Sequence, residues 1–269
     1  MVFFNIFVSI TYIIAFILCI IAIHKKNSVL DRISNLFILV GYLAHSLILF
    51  LNIFHDSFLS KGQFYFSLFG WYIILVFLFL IWKMKIKFLS LMISPLALIF
   101  FISSNLINTK TLPVPKTMSM LWFGTHIFCL FLSIALVSVG FAVGIFYLYI
   151  HNQIKKKSST TSFKIEGISL ETLDRINHFV VGIGFPLFTI GILSGFIWAS
   201  LTWHKIFSWD IKEVWSLVVW VLFAYLFHQR MAIGWKGKKP AILIAWIFTL
   251  SLISFLVINS LFPTHHSFR

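Results

Sequence analysis

Long apolar runs separated by short polar stretches make up most of the chain. Eight runs approach the twenty or so residues that cross a bilayer: 3–23, 33–54, 64–82, 87–104, 119–150, 178–200, 213–233 and 240–261. The pattern predicts an all-α polytopic membrane protein with about eight transmembrane helices. Pro95 and the Ser103–Ser104 pair interrupt the fourth run. The fifth is longer than one span needs, which predicts a tilted or protruding helix.

The loops between the runs carry their positive charge unevenly. One set holds Lys25, Lys26, Arg32, Lys83, Lys85, Lys87, Lys155, Lys156, Lys157, Lys164, Arg175, Arg230, Lys236, Lys238 and Lys239. The alternate set holds Lys61, Lys110, Lys116, Lys205, Lys212 and Arg269. Lys and Arg gather on the cytoplasmic side of membrane proteins. The first set is therefore assigned to the cytoplasm, and both termini fall on the outer side.

Composition agrees. The chain is 60% hydrophobic and 10% charged, against about 25% charged for a soluble domain. A net charge of +14 would by itself suit nucleic acid. Its concentration in one set of loops explains it without a nucleic-acid partner. Cys19 and Cys129 lie inside apolar runs, and no CxxC or CxxCH occurs. That argues against a dithiol oxidoreductase and against a c-type cytochrome. The 33 phenylalanines are read as nucleotide bias. The first run lacks a basic flank and a small-residue cleavage site, and is read as a retained helix. Residues 151–177 form the one sizeable polar stretch, a flexible cytoplasmic linker. Its end, SLETLDRINHF, predicts a short amphipathic helix with Ser169 as cap and Leu173 and Ile176 on one face.

One polar loop stands out. Between the sixth and seventh runs lie Trp198, Trp203, Trp209 and Trp215, with Asp210 and Glu213, two of only seven acids in the chain. Tryptophan at a membrane interface is ordinary, but this density, with Lys205 and Lys212 interleaved, is not. The topology puts the loop outside. It puts His126, near the outer end of run five, and His265 and His266, beyond run eight, on the same face. Axial histidine holds haem iron in many proteins, and flat indoles suit a flat apolar macrocycle. The two lysines could pair with propionates. His228 lies about 22 Å along the seventh run, toward the cytoplasm. His45 lies mid-span, where bonding to a neighbouring helix is the ordinary role. His204 is inside the loop. A transporter would show paired broken helices. Only Pro95 and the 182–186 segment interrupt runs, and they are not evidently related.

The stretch GIGFPLFTIGILSGFIWASLTWHKIFSWDIKEVWSLVVWVLFAYLFHQR, residues 182–230, resembles the tryptophan-rich WWD region of the CcsA/ResC cytochrome c assembly proteins. The family pattern there is close to GFPLLTxGIxxGxxWAxxxWGxYWSWDPKExWxLxxWxxYAxYLHxR. LWFGTHIFCLFLSIALVSVGFA upstream, and GWKGKKPA and LFPTHHSF downstream, extend the likeness. It divides the chain into a divergent four-helix region, 1–118, and a cytochrome c assembly core, 119–269.

Residue by residue, the resemblance implies that His126 and His266 are external axial ligands of haem iron and that His228 belongs to a site within the membrane. Trp198, Trp203, Trp209, Asp210, Lys212, Glu213 and Trp215 would form the haem platform. The cargo would be haem b, carried to the outer face and attached to the CxxCH thiols of apocytochrome c with a CcsB/ResB-like membrane partner. The membrane would be a bacterial inner membrane or a plastid thylakoid. Whether the chain is the haem-handling subunit of a cytochrome c synthase stays open. The alternative is a HemX-like regulator or scaffold linked to haem metabolism. The chain departs from the family pattern at His204 (Gly), Phe207 (Trp), Ile211 (Pro) and Phe66 (Glu).

Overall fold

In the computed structural model, residues 2–53, 61–84, 90–106, 118–155 and 169–258 are described. They form eight α-helices and no strand. The helices are α1 (Val2–His24), α2 (Ser28–Ile53), α3 (Gly62–Met84), α4 (Ser90–Leu106), α5 (Met118–Lys155), α6 (Leu170–Trp203), α7 (Ile211–Met231) and α8 (Lys238–Leu252). A π-helical segment, Ile253–Ile258, follows α8. Seven helices are long and apolar enough to cross a membrane. The exception is α4, where the sequence is interrupted: it has 17 residues and carries Pro95 inside it. α5 has 38 residues, about 57 Å of helix against a hydrocarbon core of about 30 Å.

Helix six differs from the expectation. The predicted amphipathic helix and the sixth span are one element, 34 residues from Leu170 to Trp203. Leu173 and Ile176 are buried, as their shared face predicts. No breaker separates that face from the span, so the helix runs through.

The chain divides into two compact units, residues 1–109 with 150–169, and residues 110–149 with 170–269. In the first, α1 and α2 form a hairpin. The turn is closed by Asn27 N–H to the Ala22 carbonyl at 2.9 Å, with Lys26 at φ 49°. The Asn27 side chain then accepts from Val29 N–H at 2.8 Å and starts α2. Small residues keep the α1–α2 seam close: a Cβ at Gly41 would lie 2.5 Å from Thr11 Oγ1. A polar chain crosses this unit, in which Tyr12 Oη meets His45 Nδ1 at 3.2 Å and His45 Nε2 meets Ser67 Oγ at 2.9 Å. Phe101 of α4 packs edge-on against the same imidazole, centroids 4.6 Å apart. His45 thus ties α1, α2 and α3 together, the ordinary role expected of it.

In the second unit, α5 runs against α6 and α8. Gly140 faces Ile244, and a Cβ at Gly144 would lie 3.1 Å from the Ala241 carbonyl. Ser133 Oγ donates to the Gly184 carbonyl at 2.7 Å, joining α5 to α6. Trp220 Nε1 donates to Thr189 Oγ1 at 3.0 Å, joining α7 to α6. Trp215 Nε1 donates to the Leu250 carbonyl at 2.9 Å, joining α7 to α8.

The candidate haem site at the loop end of the second unit

The second unit has two polar ends. At the basic end, Arg230 is fully buried at the foot of α7 and pairs with Asp174 of α6 at 2.9 Å. Its guanidinium also donates to the carbonyls of Trp235, at 2.7 Å, and Asp174, at 2.6 Å. Asp174 accepts in turn from Gly237 N–H at 2.8 Å. This node sets the α7–α8 turn, with Gly234 at φ 76° and Gly237 at φ 79°. Sequence reasoning did not find it. Its partners are 56 residues apart, and the one available signal was that Asp174 is an acid in a chain with seven.

At the loop end, residues 204–210 join α6 to α7. Asp210 caps α7: its backbone is extended (φ −65°, ψ 143°) and its carboxylate accepts from Lys212 N–H at 2.9 Å. Glu213, in the first turn and 8% exposed, reaches back to Ser208. One oxygen accepts from the Ser208 N–H at 2.7 Å and the other from its hydroxyl at 2.8 Å. Both acids therefore satisfy backbone donors at a helix start, close to a capping box. They shape the loop from within.

The consequence falls on Trp209. Pinned between Ser208 and the cap, it takes a left-handed backbone, φ 58°, and its indole is 80% exposed. Phe207 packs edge-on against it, centroids 5.0 Å apart, and touches Phe196 at 5.9 Å. Phe207, where the family pattern has tryptophan, extends an aromatic row up from α6. His204 is also left-handed, φ 55°. The family pattern has glycine there, the residue for which that backbone costs least.

His126 lies where the first turns of α5 meet the last turns of α6. Its Nδ1 is 2.7 Å from the Gly191 carbonyl oxygen. A carbonyl only accepts, so Nδ1 carries the proton and the Nε2 lone pair is left for another partner. A carbonyl behind the ring in this manner is the usual support of a metal-binding histidine. The Trp198 indole lies nearly parallel to the imidazole, with centroids 6.4 Å apart and planes at 23°, and is backed by Phe123 at 4.9 Å. Lys212 is near enough for its charge to act on His126.

The sequence-predicted residues are thus only partly brought together. His126 and Trp198 come together. Trp209, Asp210 and Glu213 build the adjacent loop, and Trp215 is anchored to α8. His228 sits in the last turn of α7 with an exposed ring, toward the basic end and away from His126. The Trp203 side chain and all of His265 and His266 lie outside the described residues.

The second unit thus places an imidazole beside an indole where α5 and α6 meet at the loop end. The cytochrome c assembly protein family model matches residues 33–266. The chain is 30% identical over 217 residues to "Cytochrome c biogenesis protein CcsA" of Guillardia theta, covering 74% of this chain and 72% of that one. It is 30% identical over 274 residues to the protein of that name from Mesostigma viride, covering 92% and 89%. With that of Synechocystis sp. it is 42% identical over 118 residues, covering 43% and 35%. The chain belongs to the cytochrome c assembly protein family, and its role is in cytochrome c biogenesis.

Proposed function

We propose that the chain binds haem b as a substrate at the loop end of α5 and α6, and presents it outside the membrane for attachment to apocytochrome c. The observation that carries this is the His126 Nδ1 hydrogen bond to the Gly191 carbonyl. It fixes the tautomer whose Nε2 can bind iron. Trp198 stacks beside the same ring. The exposed face of Trp209, backed by Phe207, offers a second apolar surface. Lys205 and Lys212 supply positive charge for propionates. His266 is the second axial ligand, on the family resemblance, and His228 belongs to a separate position nearer the basic end.

Haem supplies the iron that takes the imidazoles and the vinyl groups that accept the CxxCH thiols. The chain's own residues orient it: His126 sets its height, Trp198 one edge, and the loop keeps water from one face. The attacking groups are the thiols of apocytochrome c, so the chain needs no nucleophile of its own. A CcsB/ResB-type membrane protein is the partner. Both termini and the 204–210 loop face outward, in the periplasm or the thylakoid lumen.

The test is spectroscopic. Protein purified with haem should show a Soret band that His126→Ala and His266→Ala each alter. No Soret absorbance after haem addition would overturn the reading. A second reading, a HemX-like regulator, is favoured by Phe66. It is buried in the first unit where the family pattern has a glutamate. Under that reading, deleting the gene leaves haem-stained c-type cytochromes at normal levels.

A further inference from the structure

We infer that Gly195 is a positioning residue for His126, setting the angle and tautomer at which the imidazole is offered. The inference rests on the reading of His126 as a haem ligand. Three α6 positions, Gly184, Gly191 and Gly195, recur at spacings of seven and four, so they share one face of the helix. Opposite them on α5 stand Ser133, Leu130 and His126, also on one face. Each pairing is close. Ser133 bonds to the Gly184 carbonyl at 2.7 Å. A Cβ at Gly191 would lie 2.7 Å from Leu130 Cδ2 and 3.0 Å from its backbone nitrogen. A Cβ at Gly195 would lie 2.5 Å from His126 Nδ1 and 2.7 Å from its Cε1.

Real Cβ atoms are essentially never found so close to another atom. The imidazole therefore occupies the volume where any other residue at 195 would put its first carbon. The two glycines do different things to one ring. Gly191 lets the helices approach until its carbonyl is 2.7 Å from Nδ1. Gly195 leaves room for the ring to lie flat across α6 while making that bond. Without that space the ring must rotate about its Cα–Cβ bond, which breaks the 2.7 Å contact and swings Nε2 away. The other glycines of the unit set a contrast. A Cβ at Gly124, on His126's own helix, would meet nothing within 4 Å. One at Gly140 would strike Ile244, on α8, and leave His126 alone.

The experiment compares Gly195→Ala, Gly124→Ala, Gly140→Ala and His126→Ala in the full-length protein. Two properties are read besides thermal stability. One is the ferric spin state and haem affinity of protein titrated with haem. The other is the ¹⁵N shift pattern of the His126 imidazole in haem-free protein, assigned by its loss in His126→Ala.

Gly195→Ala should weaken haem binding at least tenfold, turn a low-spin spectrum high-spin and lose the Nδ1–H pattern. Gly124→Ala should match the parent. Gly140→Ala should unfold more easily yet keep the parent's spectrum and ¹⁵N pattern. A parent spectrum and tautomer in Gly195→Ala, beside an altered His126→Ala, would overturn the inference and leave the ligand reading standing. An unaltered spectrum in His126→Ala would overturn the ligand reading, while the haem-free tautomer still decides the positioning. Should Gly195→Ala not accumulate, the parent's tautomer decides alone: an Nε2–H imidazole sinks the proposal.

Discussion

His45 and His126 both sit inside long apolar helices. Their ring nitrogens tell them apart. His45 is completely buried, with Tyr12 on one nitrogen and Ser67 on the other, so it is a closed structural link between helices. His126 has one nitrogen on a backbone carbonyl and, among the described residues, no hydrogen bond on the other, with an indole alongside. His204 completes the series: it is exposed, at the start of the loop, and no hydrogen bond holds it among the described residues. Burial alone does not reveal which histidine can take a ligand. The state of the ring nitrogens does: with both engaged no lone pair is left, whereas one nitrogen held as a donor leaves the other's lone pair free and fixed in direction.

Buried polar links between helices should lose stability on substitution and keep haem, while substitution of His126 should lose haem. The largest effect is expected at Arg230, the buried member of the ion pair with Asp174. Arg230→Met removes the partner of Asp174 and orphans two carbonyls, a loss of about 3–5 kcal/mol by analogy with other broken buried pairs. Thermal unfolding in detergent would measure it. Material that still folds should bind haem as the parent does, and a selective loss of haem would break the contrast. Next comes His126→Ala. Haem affinity should fall at least tenfold by titration, with a smaller loss of stability than at Arg230, from one hydrogen bond worth about 1 kcal/mol and the packing of the ring over Gly195.

His45→Leu is expected to be intermediate in stability. It strands the Tyr12 and Ser67 hydroxyls among apolar side chains, at about 1–3 kcal/mol. The haem spectrum should not move. If the loss shrinks when Tyr12→Phe and Ser67→Ala are combined with it, the chain of bonds is the cause, because the stranded partners are then gone. A change in the Soret band would show that His45 does more than tie helices together.

What was legible in the sequence followed from one-dimensional constraints. A bilayer demands runs of a certain length, so the helices stood out, including the weak α4 with Pro95. The helical face of Leu173 and Ile176 was readable by period. Its continuity with α6 was not, because polarity falls off gradually there and no breaker marks a join. In the loop, the resemblance named Asp210 and Glu213 as platform residues, and the D-x-x-E spacing at a helix start was the overlooked sign that they also cap α7. The Arg230–Asp174 node and the Gly195–His126 contact were out of reach. Each joins residues far apart in the chain, and a glycine's use of empty space leaves no mark in composition.

The smallest effect is expected at His204, and it tests the comparison from its far end. The residue holds φ 55°, a region that costs a side-chain-bearing residue about 1–2 kcal/mol and glycine almost nothing. His204→Gly removes that strain but frees the unfolded chain, which takes back about 0.5–1 kcal/mol. The net gain should be about 0.5–1 kcal/mol, a slight rise in melting temperature. The loop would keep its shape, because Glu213 and Asp210 hold it from the α7 side. Haem binding should be unchanged, since a histidine with neither nitrogen anchored has no fixed direction in which to offer a lone pair. If His204→Gly instead changed the spin state of the ferric protein, a free histidine would be acting as a ligand. The state of the ring nitrogens would then have failed as a guide to which imidazole takes the iron.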